Sequence, residues 1–472
     1  MANQNYDLII IGGGSAGLTA AGFAVQLGKK VALVEKDRLG GDCTWTGCVP
    51  SKALVKSAKV AHDMRHANRY GVGPAEPVID IRAVLDHVRS VVDQVYQPES
   101  PDALRAEGVD VHLGQASFVD PHTITVGEAR LSAHRFLIAT GAHPFIPPID
   151  GLDSVDYLTY ESIWDLESLP KRLVVIGGGP IGCELAQALC RLGAGVTLLE
   201  DDTRILPQEE PEVSALIQQQ MAEDGVEFRL NSRAQRIWKQ DGEIHIVAGG
   251  QELTGDALLL SVGRRPTVDG LDLEQAGIEY SSRGIAVNDQ LRTSQRHIYA
   301  AGDCTGGYQF THYAGFQGFM AVRNALLPGA ATAVLDRVPS ATFTDPEIAH
   351  VGLTEAQASE KYGDGAVVCS WPMERVDRAI TEGDTAGFIK IVHRPDGTIL
   401  GVTIANSRAG EMIQEWILAM DRRMKIGELV NSLHIYPTYS MASQQAALHI
   451  KVGQMLTGTS GRIIRGLARL MR

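Results

Sequence analysis

The stretch Tyr6-Asp7-Leu8-Ile9-Ile10-Ile11-Gly12-Gly13-Gly14-Ser15-Ala16-Gly17 passes from apolar, largely β-branched residues into glycines. This order predicts a buried strand and a tight turn, followed by an Ala-rich helix that ends at Gly28. A second short strand is predicted from Val31 to Glu35. The chain therefore begins with strand, turn, helix and strand in succession, which favours an α/β fold.

The turn follows the G-x-G-x-x-G pattern through Gly12, Gly14 and Gly17. Glycines in this pattern allow a tight turn, close approach of the backbone to a pyrophosphate and close packing of the helix. The helix N-terminus contributes N–H groups and a positive dipole. Glu35, at the end of the second strand, can accept hydrogen bonds from a ribose. This first unit therefore predicts a dinucleotide site.

The whole pattern recurs 165 residues later, with glycines at Gly177, Gly179 and Gly182 and an acid at Glu200. In both copies the acid lies 21 positions after the middle glycine. One such motif alone is weak evidence, whereas two copies with the same flanking strands and helix are strong evidence. The alternative is that both turns only pack a helix against a sheet. We expect the chain to bind two dinucleotides.

A second informative stretch is Gly41-Asp42-Cys43-Thr44-Trp45-Thr46-Gly47-Cys48-Val49-Pro50-Ser51-Lys52, which separates two cysteines by five positions. In an ideal α-helix, residues i and i+5 lie too far apart for a comfortable disulfide, so a bond between Cys43 and Cys48 requires a distorted first turn. Strain of that kind makes a disulfide reducible. The alternatives are half of a metal site or two buried thiols, but the next cysteine is Cys183 and no ligand pair is spaced to complete a metal site.

Composition limits the class of protein. The chain has 472 residues, 44% of them hydrophobic, which is enough for about three domains with substantial cores. A net charge of −13 argues against nucleic acid as a partner. Six cysteines do not make a disulfide framework in a chain of this length, and the N-terminus lacks a basic region typical of a signal peptide. We therefore expect a cytoplasmic protein.

The uncharged stretch from Leu8 to Gly28 is long enough to span a membrane. Its glycines, and the change from Ile-rich to Ala-rich sequence, predict instead a strand, a turn and a helix. Further along, strands are predicted at 118–126 and 135–138, and a Gly-Asp corner at Gly302-Asp303 precedes a helix from about Tyr313 to Leu326. A hairpin with strands at 387–392 and 400–405 and a helix at 409–420 predict a separate α+β domain near the C-terminus.

These motifs together resemble the FAD-dependent pyridine nucleotide-disulfide oxidoreductases, a family that includes dihydrolipoyl dehydrogenase, glutathione reductase and mercuric reductase. The resemblance covers essentially the whole chain and rests on the C-x4-C-V-P-S-K motif, both glycine fingerprints and the Gly-Asp corner. It implies two Rossmann-type, three-layer ββα dinucleotide-binding domains and a C-terminal α+β dimerisation domain. It also implies an FAD-binding domain at residues 1–148 with a return segment at 269–337, an inserted NAD(P)-binding domain at 149–268, and an interface domain at 338–472.

The resemblance also implies roles for individual residues. The Gly12 unit would hold FAD and the Gly177 unit NAD(P)H, with Asp303 on the ribityl chain of FAD. Lys52 would lie near the flavin N5, paired with Glu184. The full set of candidate cofactor-binding residues is Gly12, Gly14, Gly17, Glu35, Gly41, Thr140, Gly141, Asp303, Gly177, Gly179, Gly182, Glu200 and Gly263. No resident metal is implied.

The implied mechanism starts with hydride transfer from the nicotinamide to the flavin and continues with electron transfer to the disulfide through Cys48. Cys48 would be the charge-transfer thiolate and Cys43 the interchange thiol that meets the substrate. Nearby cations and the helix start would lower both thiol pKa values. The family also implies a homodimer.

The chain departs from the family pattern at the segment His434-Ile435-Tyr436-Pro437-Thr438-Tyr439-Ser440-Met441. Disulfide-reducing members have His-Pro-x-x-x-Glu here, and the histidine shuttles protons to the interchange thiol of the other subunit. Tyr436 replaces that histidine and Met441 that glutamate, and a phenol with a pKa of about 10 is a poor shuttle at neutral pH. His434 is the candidate substitute, against the alternative of a structural histidine.

Mercuric reductases also lack that histidine and glutamate, but they usually end in a vicinal cysteine pair, which is missing from the C-terminus of this sequence. The acceptor therefore stays open among a mercuric-ion-like metal, a quinone and a disulfide. Two alternatives are a dihydrolipoyl dehydrogenase with altered proton transfer and a low-turnover flavoprotein redox sensor. Steady-state NADH oxidation separates the sensor from the two enzymes.

Two smaller features complete the predictions. Glu200 favours NADH over NADPH, since it accepts from a free ribose hydroxyl and repels a 2′-phosphate, while Arg204 and Arg264 count against this preference. The tail from Gly461 to Arg472 has the pattern of a basic amphipathic helix. Its arginines are Arg462, Arg465, Arg469 and Arg472. Packing on the dimer is the favoured role of this helix, with contact to a membrane surface as the alternative.

Overall fold

The structure is a computed structural model that describes residues 4–456 and 458–470. It contains two compact units. The first runs up to Val60 and includes Val78–Leu199 and Ser232–Asp336, and the second comprises Ala61–Pro77, Glu200–Asn231 and the chain from Arg337 onward. The predicted domain boundaries at 148, 268 and 337 stay a prediction.

The helices are α1 (Ser15–Gln26), α2 (Gly41–Trp45), α3 (Cys48–Arg65), α4 (Ile81–Tyr96), α5 (Pro101–Ala106), α6 (Pro180–Arg191), α7 (Pro211–Glu223), α8 (Thr311–Leu326), α9 (Glu355–Tyr362), α10 (Asp377–Thr381), α11 (Ala409–Asp421), α12 (Ile426–Leu429), α13 (Met441–Leu456) and α14 (Gly458–Leu470). The strands are β1 (Gln4–Ile11), β2 (Val31–Glu35), β3 (Val109–Leu113), β4 (Ala116–Asp120), β5 (Thr123–Val126), β6 (Ala129–Ile138), β7 (Ala142–Pro144), β8 (Arg172–Ile176), β9 (Gly195–Leu199), β10 (Glu227–Arg229), β11 (Ala234–Gln240), β12 (Glu243–Ala248), β13 (Gln251–Gly255), β14 (Ala257–Leu260), β15 (Arg264–Pro266), β16 (Tyr280–Ser281), β17 (Gly284–Ile285), β18 (Ile298–Ala300), β19 (Ser340–Thr342), β20 (Glu347–Gly352), β21 (Val367–Pro372), β22 (Phe388–His393) and β23 (Ile399–Asn406).

The largest sheet of the first unit has the order β3-β2-β1-β6-β5-β4, and β18 also pairs with β6. Strands β1, β2, β3, β6 and β18 are mutually parallel, while β4 and β5 add antiparallel pairs. Leu8 pairs with Val31 on one side and with Arg135 on the other, so β1 lies in the middle of the parallel part. The loop that follows β1 therefore emerges at the carboxyl edge of the sheet, where ligands bind in folds of this class.

This sheet is covered on both faces, because successive side chains of β1 point to opposite sides. Leu8 and Ile10 pack in one core with the small residues of α1 and α8. Ile9 and Ile11 pack in another core with β4, β5 and the segment from 268 to 285. Helices on one face and β-structure on the other make three layers, which confirms the predicted α/β class.

A second, smaller arrangement of the same kind lies in the first unit. Strands β9, β8 and β14 are parallel, and β11, β12 and β13 form an antiparallel sheet. Val174 and Ile176 of β8 share a core with Ile237, Ile244 and Ile246 of the antiparallel sheet. The predicted repeat of the first glycine-turn unit thus has the same strand, turn, helix and strand in the structure.

The second unit has a five-stranded antiparallel sheet of order β19-β20-β23-β22-β21. Its core joins this sheet to α11 and α13, with Trp416 fully buried. The predicted hairpin is β22 with β23, and the predicted helix is α11, so the α+β character of this part is confirmed.

An ion-pair cluster, which we call the Lys390 cluster, lies in the second unit. The Lys390 side chain is only 3% exposed, and its ammonium contacts the buried Glu210 at 3.2 Å, together with Glu212 and, at 2.5 Å, Glu355. The three carboxylates lie within 4.8 Å of one another. Because the ammonium contacts all three, their mutual repulsion is compensated within the protein.

Among the described residues, no helix combines the length and the apolar character that a membrane crossing requires. The uncharged stretch from Leu8 to Gly28 is divided between β1 and α1, as the glycines predicted. The predicted amphipathic tail corresponds to α14, on which Ile463, Leu467 and Leu470 are exposed. Arg472 lies outside the described residues, and so does the side chain of Arg469.

Candidate active site

The first glycine turn connects β1 to α1 and is closed by backbone contacts. A Cβ atom on Gly12 would lie 2.2 Å from the Ala139 oxygen, at a φ of +109°, and a Cβ on Gly17 would lie 1.9 Å from the Gly12 oxygen. A Cβ on Gly14, in contrast, would meet nothing closer than the Gly41 Cα at 3.8 Å. Two glycines of the motif are therefore required by packing, and the middle one leaves backbone open for a ligand.

The second turn repeats this division of roles. A Cβ on Gly177 would lie 2.6 Å from the Ser261 oxygen, and a Cβ on Gly182 would lie 2.0 Å from the Gly177 oxygen. At Gly179, apart from its chain neighbours and the backbone of its own helix, no atom of the described residues lies within 4 Å of the same position. Both turns thus have the open middle glycine that a pyrophosphate needs.

The acids that follow the two second strands have similar local partners. Glu35 accepts hydrogen bonds from the backbone N–H of Gly13 at 2.7 Å and of Asp37 at 2.8 Å. Glu200, which belongs to the second unit, accepts one from the N–H of Asp202 at 2.9 Å. Glu35 is thereby fixed against the first glycine turn.

The two cysteines of the motif lie on different helices. Cys43 is in the short α2, and Cys48 is the first residue of α3. The helix is interrupted at Thr46 and Gly47, and a Cβ on Gly47 would lie 2.8 Å from the Asp42 oxygen. The predicted distortion between the cysteines is confirmed, and a glycine is needed to make it. Both cysteines are unbonded thiols in the structure, so the disulfide between them stays a prediction.

The thiols differ strongly in acidity, so the expectation that both pKa values are lowered is right for Cys48 and wrong for Cys43. A hydrogen bond between the two sulfurs lowers the pKa of Cys48 to about 5, and the same bond, with burial, raises the pKa of Cys43 well above its usual value. Thr311, at the start of α8, adds to the effect on Cys48, since its hydroxyl lies 3.4 Å from Cys48 Sγ. At neutral pH the pair therefore holds one proton, on Cys43, with Cys48 as a thiolate.

Lys52 and Glu184 form an ion pair. Lys52 Nζ lies 2.8 Å from Glu184 Oε2, and the Glu184 side chain is only 7% exposed. Lys52 is one turn along α3 from Cys48, and its charge is a further cause of the low Cys48 pKa. The pairing that the resemblance implied for Lys52 is present in the structure, and it gives a buried carboxylate the cation it needs.

A second charged network was missed by sequence reasoning. The Arg264 guanidinium donates to Asp303 at 2.7 Å, to Asp42 at 2.5 Å and, through Nε, to the Tyr160 hydroxyl at 3.1 Å. Burial raises the pKa of Asp303, and Arg264 opposes that effect. Asp42 was visible only as an acid beside a cysteine, while Arg264 was considered as a contact for a nucleotide phosphate. The structure instead directs Arg264 to two carboxylates of the first unit.

The remaining predicted cofactor residues also lie in the first unit. Gly41 faces the first glycine turn, where a Cβ on it would lie 2.8 Å from the Gly14 Cα. Thr140 and Gly141 follow β6, and the Thr140 hydroxyl donates to the Thr267 oxygen at 2.6 Å. Gly263 precedes β15, and its oxygen accepts from the Phe145 N–H at 3.0 Å.

The departure from the family pattern lies in the second unit. Tyr436 is 65% exposed, and its hydroxyl donates to Asp377 at 2.9 Å, which raises the pKa of the phenol. His434 Nε2 lies 2.8 Å from Glu415 Oε2. His434 is therefore not an isolated histidine, because Glu415 on α11 supplies a carboxylate that no sequence spacing indicated.

The cysteines outside the motif differ in burial. Cys183 and Cys304 are fully buried, and burial raises the pKa of Cys304 to about 11. Cys190 is partly buried. A buried thiol of that acidity stays protonated and does not react at neutral pH.

Comparison with known proteins agrees with this geometry. A mercuric reductase of Lysinibacillus sphaericus is 37% identical over 452 residues, which cover 94% of this chain and 82% of the relative. A dihydrolipoyl dehydrogenase of Bacillus subtilis is 34% identical over 93% of this chain and 98% of its own length. The structure of the HOCl-induced flavoprotein disulfide reductase from Escherichia coli superposes with a TM-score of 0.85 at 29% identity, over 94% of this chain and 99% of that one.

Two family profiles match almost the whole chain. The profile of the pyridine nucleotide-disulphide oxidoreductases covers residues 6–318, and that of their dimerisation domain covers residues 338–447. Members of this family bind FAD and use NAD(P)H. With two glycine turns of the dinucleotide-binding type, a cysteine pair in which Cys48 is acidic, and both profiles matched, the chain belongs to the FAD-dependent pyridine nucleotide-disulphide oxidoreductases and is an oxidoreductase.

Proposed function

We propose that the protein is an NAD(P)H-dependent reductase that passes electrons through Cys43 and Cys48 to a small electrophilic acceptor. The observation that carries this proposal is the opposite protonation of the two thiols. Buried structural cysteines have raised pKa values, whereas Cys48 is acidic. The ammonium of Lys52, which is paired with Glu184 at 2.8 Å, lies one helical turn from Cys48. That asymmetry is what a thiol pair needs if one sulfur is to receive electrons and the other is to reach a substrate.

The residues at the two turns fit the cofactors of the family. Open backbone at Gly14 and Gly179 can admit a pyrophosphate, and Glu35 can accept from a ribose of FAD. Asp303, oriented by Arg264, would hold the ribityl chain. When bound, FAD takes a hydride from NAD(P)H and supplies two electrons to a disulfide.

The protein's own groups would then divide the thiol chemistry. Lys52 and the Thr311 hydroxyl stabilise negative charge on Cys48, and Glu184 keeps the Lys52 ammonium in place. Cys43 keeps its proton until it reacts with the acceptor. We assign Cys48 as the charge-transfer thiolate and Cys43 as the interchange thiol.

We propose NADH as the preferred nucleotide. Glu200 would repel a 2′-phosphate, and both arginines that counted against this preference have other partners. Arg204 donates to the oxygens of Pro207 and Glu209, at 2.9 and 3.1 Å, and Arg264 donates to its two carboxylates.

The acceptor is a metal ion such as Hg(II), a quinone or a disulfide. A dihydrolipoyl dehydrogenase activity is the second candidate, and the His434–Glu415 pair favours it, because a carboxylate-bound histidine is an effective proton carrier. Tyr436 is an unsuitable carrier, since its hydroxyl is bound to Asp377 and its pKa is raised.

We further propose a cytoplasmic homodimer. The matched dimerisation profile and the exposed apolar residues Ile463, Leu467 and Leu470 of α14 support self-association. Analytical ultracentrifugation of the full chain and of a chain ending at Ser460 tests the role of α14. Liposome binding by the same two proteins tests the alternative, contact with a membrane surface.

The decisive experiment is an anaerobic turnover panel of the FAD-loaded protein. NADH and NADPH are each combined with oxidised lipoamide, glutathione disulfide, Hg(II) or quinones. We expect NADH oxidation with at least one acceptor, and its loss in Cys43→Ser. Negligible turnover with every acceptor would contradict the proposal and favour a redox sensor.

A further inference from the structure

A carboxylate outside the cysteine motif lies against the helix that carries Cys43. Gly40 is the N-cap residue of α2, with a φ of +101°, and Cys43 and Thr44 are consecutive residues of this helix. Glu99 contacts α2 at Thr44, whose Oγ1 donates to Glu99 Oε2 at 2.9 Å. A Cβ on Gly40 would lie 2.8 Å from the same oxygen, so the glycine makes room for the carboxylate.

The contact is held from both sides. Thr44 is buried, at 2% exposure, so the surrounding atoms restrict the movement of its side chain. Glu99 ends the short turn after α4, and the ring of Tyr96 from that helix packs on Trp45 of α2 with centroids 4.7 Å apart. The hydrogen bond therefore holds the Glu99 carboxylate against α2 at the residue next to Cys43, and the ring contact between Tyr96 and Trp45 joins α4 to α2.

Cys43 needs a proton acceptor in order to react. Its hydrogen bond to Cys48 is the main cause of its raised pKa, burial adds to it, and the charge of Glu99 contributes as well. A thiol becomes an effective nucleophile only as the thiolate. Tyr436, at the family's histidine position, is poorly suited to be this base, because its hydroxyl donates to Asp377 and that bond raises its pKa.

We propose that Glu99 exchanges a proton with the Cys43 thiol, directly or through one water molecule, when Cys43 reacts with a disulfide acceptor. This inference rests on the proposed function and adds a proton-transfer group to it. Burial raises the pKa of Glu99, the hydrogen bond from Thr44 opposes that rise, and a raised pKa makes a carboxylate a stronger base.

The other charged groups near the thiols are already paired or committed. Lys52 is bound to Glu184, and both act on Cys48. Asp42 is bound by Arg264. Thr311 is close to Cys48 and has no ionisable group. Glu99 is an acid whose charge contributes to the raised pKa of Cys43, and its hydrogen bond with Thr44 holds it one residue away along α2.

The exchange between the cysteine pair and a disulfide acceptor conserves atoms and charge. The Cys43 proton moves to Glu99 while the Cys43 sulfur bonds to one sulfur of the acceptor, whose S–S bond breaks. The departing thiolate takes the proton from Glu99. The Cys48 thiolate then attacks the Cys43 sulfur and releases the second acceptor thiolate, which takes a proton from solvent. The Cys43–Cys48 pair is oxidised by two electrons and the acceptor disulfide is reduced.

The first test measures Cys43 alone and needs no turnover. In a Cys48→Ser background, the rate of Cys43 alkylation by iodoacetamide is followed against pH by peptide mass spectrometry. Glu99→Gln keeps an oxygen for Thr44 and removes the charge, so we expect the apparent pKa of Cys43 to fall by about one unit. An unchanged pKa would overturn the inference, whatever the acceptor of the enzyme is.

The second test measures proton transfer in the reduced, FAD-loaded enzyme with Cys48 intact. We expect Glu99→Gln to slow the reaction with oxidised lipoamide at neutral pH by about 100-fold, and the difference from wild type to shrink as pH rises. Equal rates for the two proteins from pH 6 to pH 9 would also overturn the inference. If the wild-type enzyme reduced neither lipoamide nor another disulfide, a disulfide acceptor would be refuted. The alkylation experiment would then still test whether Glu99 acts on Cys43.

Matched variants separate a chemical role from a structural one. Asp102→Asn on α5 removes an acid whose side chain is 97% exposed and paired with Arg105, and it should change neither readout. Thr44→Val keeps the Glu99 charge but removes its anchor, and we expect a smaller loss of lipoamide reduction in the same direction. Retained FAD absorbance in each variant confirms that the site is folded.

Discussion

Replacing Thr311 with valine isolates one hydrogen bond to the Cys48 thiolate. The hydroxyl lies 3.4 Å from Cys48 Sγ and donates to the charged form of the sulfur. Stabilising the charged form of an acid lowers its pKa, so removing the donor raises it. Valine has nearly the shape of threonine, and the substitution therefore changes little besides the donor.

The size of the effect follows from the geometry. A hydrogen bond to a charged group contributes about 1.5–3 kcal/mol, and a long bond to sulfur belongs at the lower end of that range. About 1.4 kcal/mol corresponds to one pKa unit. From a wild-type pKa of about 5, we therefore expect Thr311→Val to titrate near ~6. Cys48 would still be mostly thiolate at neutral pH in both proteins. The difference in thiolate fraction between Thr311→Val and wild type should therefore be largest at about pH 5–6.

The assay is the ultraviolet absorbance of the thiolate against pH in the reduced protein, with Cys43→Ser and Cys48→Ser variants to assign the signal. Thr311→Ser keeps the hydroxyl and should titrate close to wild type. If Thr311→Val kept the wild-type pKa, or if Thr311→Ser shifted as far as the valine variant, the assigned hydrogen bond would be wrong.

Three further predictions concern other residues of the two units. We expect the two-electron-reduced enzyme to have a long-wavelength charge-transfer band between thiolate and flavin; Cys48→Ser should keep FAD but lose this band, and a persistent band would refute the assignment of Cys48. Tyr436→Phe should retain at least about half of wild-type turnover, because it removes only the bond to Asp377, and a loss of 100-fold in kcat would restore the tyrosine as a proton carrier. Lys390→Met should lower the free energy of unfolding in urea by about 3–5 kcal/mol at pH 7, because it leaves the carboxylates of the Lys390 cluster unpaired, whereas Lys425→Met, which removes an exposed lysine, should cost less than about 1 kcal/mol. The cost of Lys390→Met should shrink as pH falls and the carboxylates protonate, since Lys390 lowers the pKa of Glu212 in the wild type, and a cost independent of pH would contradict the ion-pair explanation.

The sequence predicted those parts of the fold that are encoded locally. Both glycine turns, the hairpin of β22 and β23, and the helix break between Cys43 and Cys48 depend on residues within a few positions of one another. Gly47 shows why: its missing Cβ is what lets the chain turn back toward the Asp42 oxygen. Local sterics of this kind can be read without knowing the partners in space.

The sequence could not predict the contacts that complete the site. Thr311 is 263 positions from Cys48, and Arg264 is 222 positions from Asp42. Nothing in the periodicity of either segment indicates that they meet, because the distances are set by how α8 and β15 pack in the first unit. The contact of Glu415 with His434 could not be predicted for the same reason, since it depends on the packing of α11.

The unequal thiols also determine how the redox potential of the pair would respond to pH. Between the pKa of Cys48 and that of Cys43, reduction of a Cys43–Cys48 disulfide by two electrons takes up one proton, because one sulfur stays ionised. The midpoint potential then changes by about 30 mV per pH unit, half the value expected when both sulfurs are protonated. Acidification of the cell would thus change the midpoint potential of this cysteine pair less than that of a dithiol with two ordinary thiols.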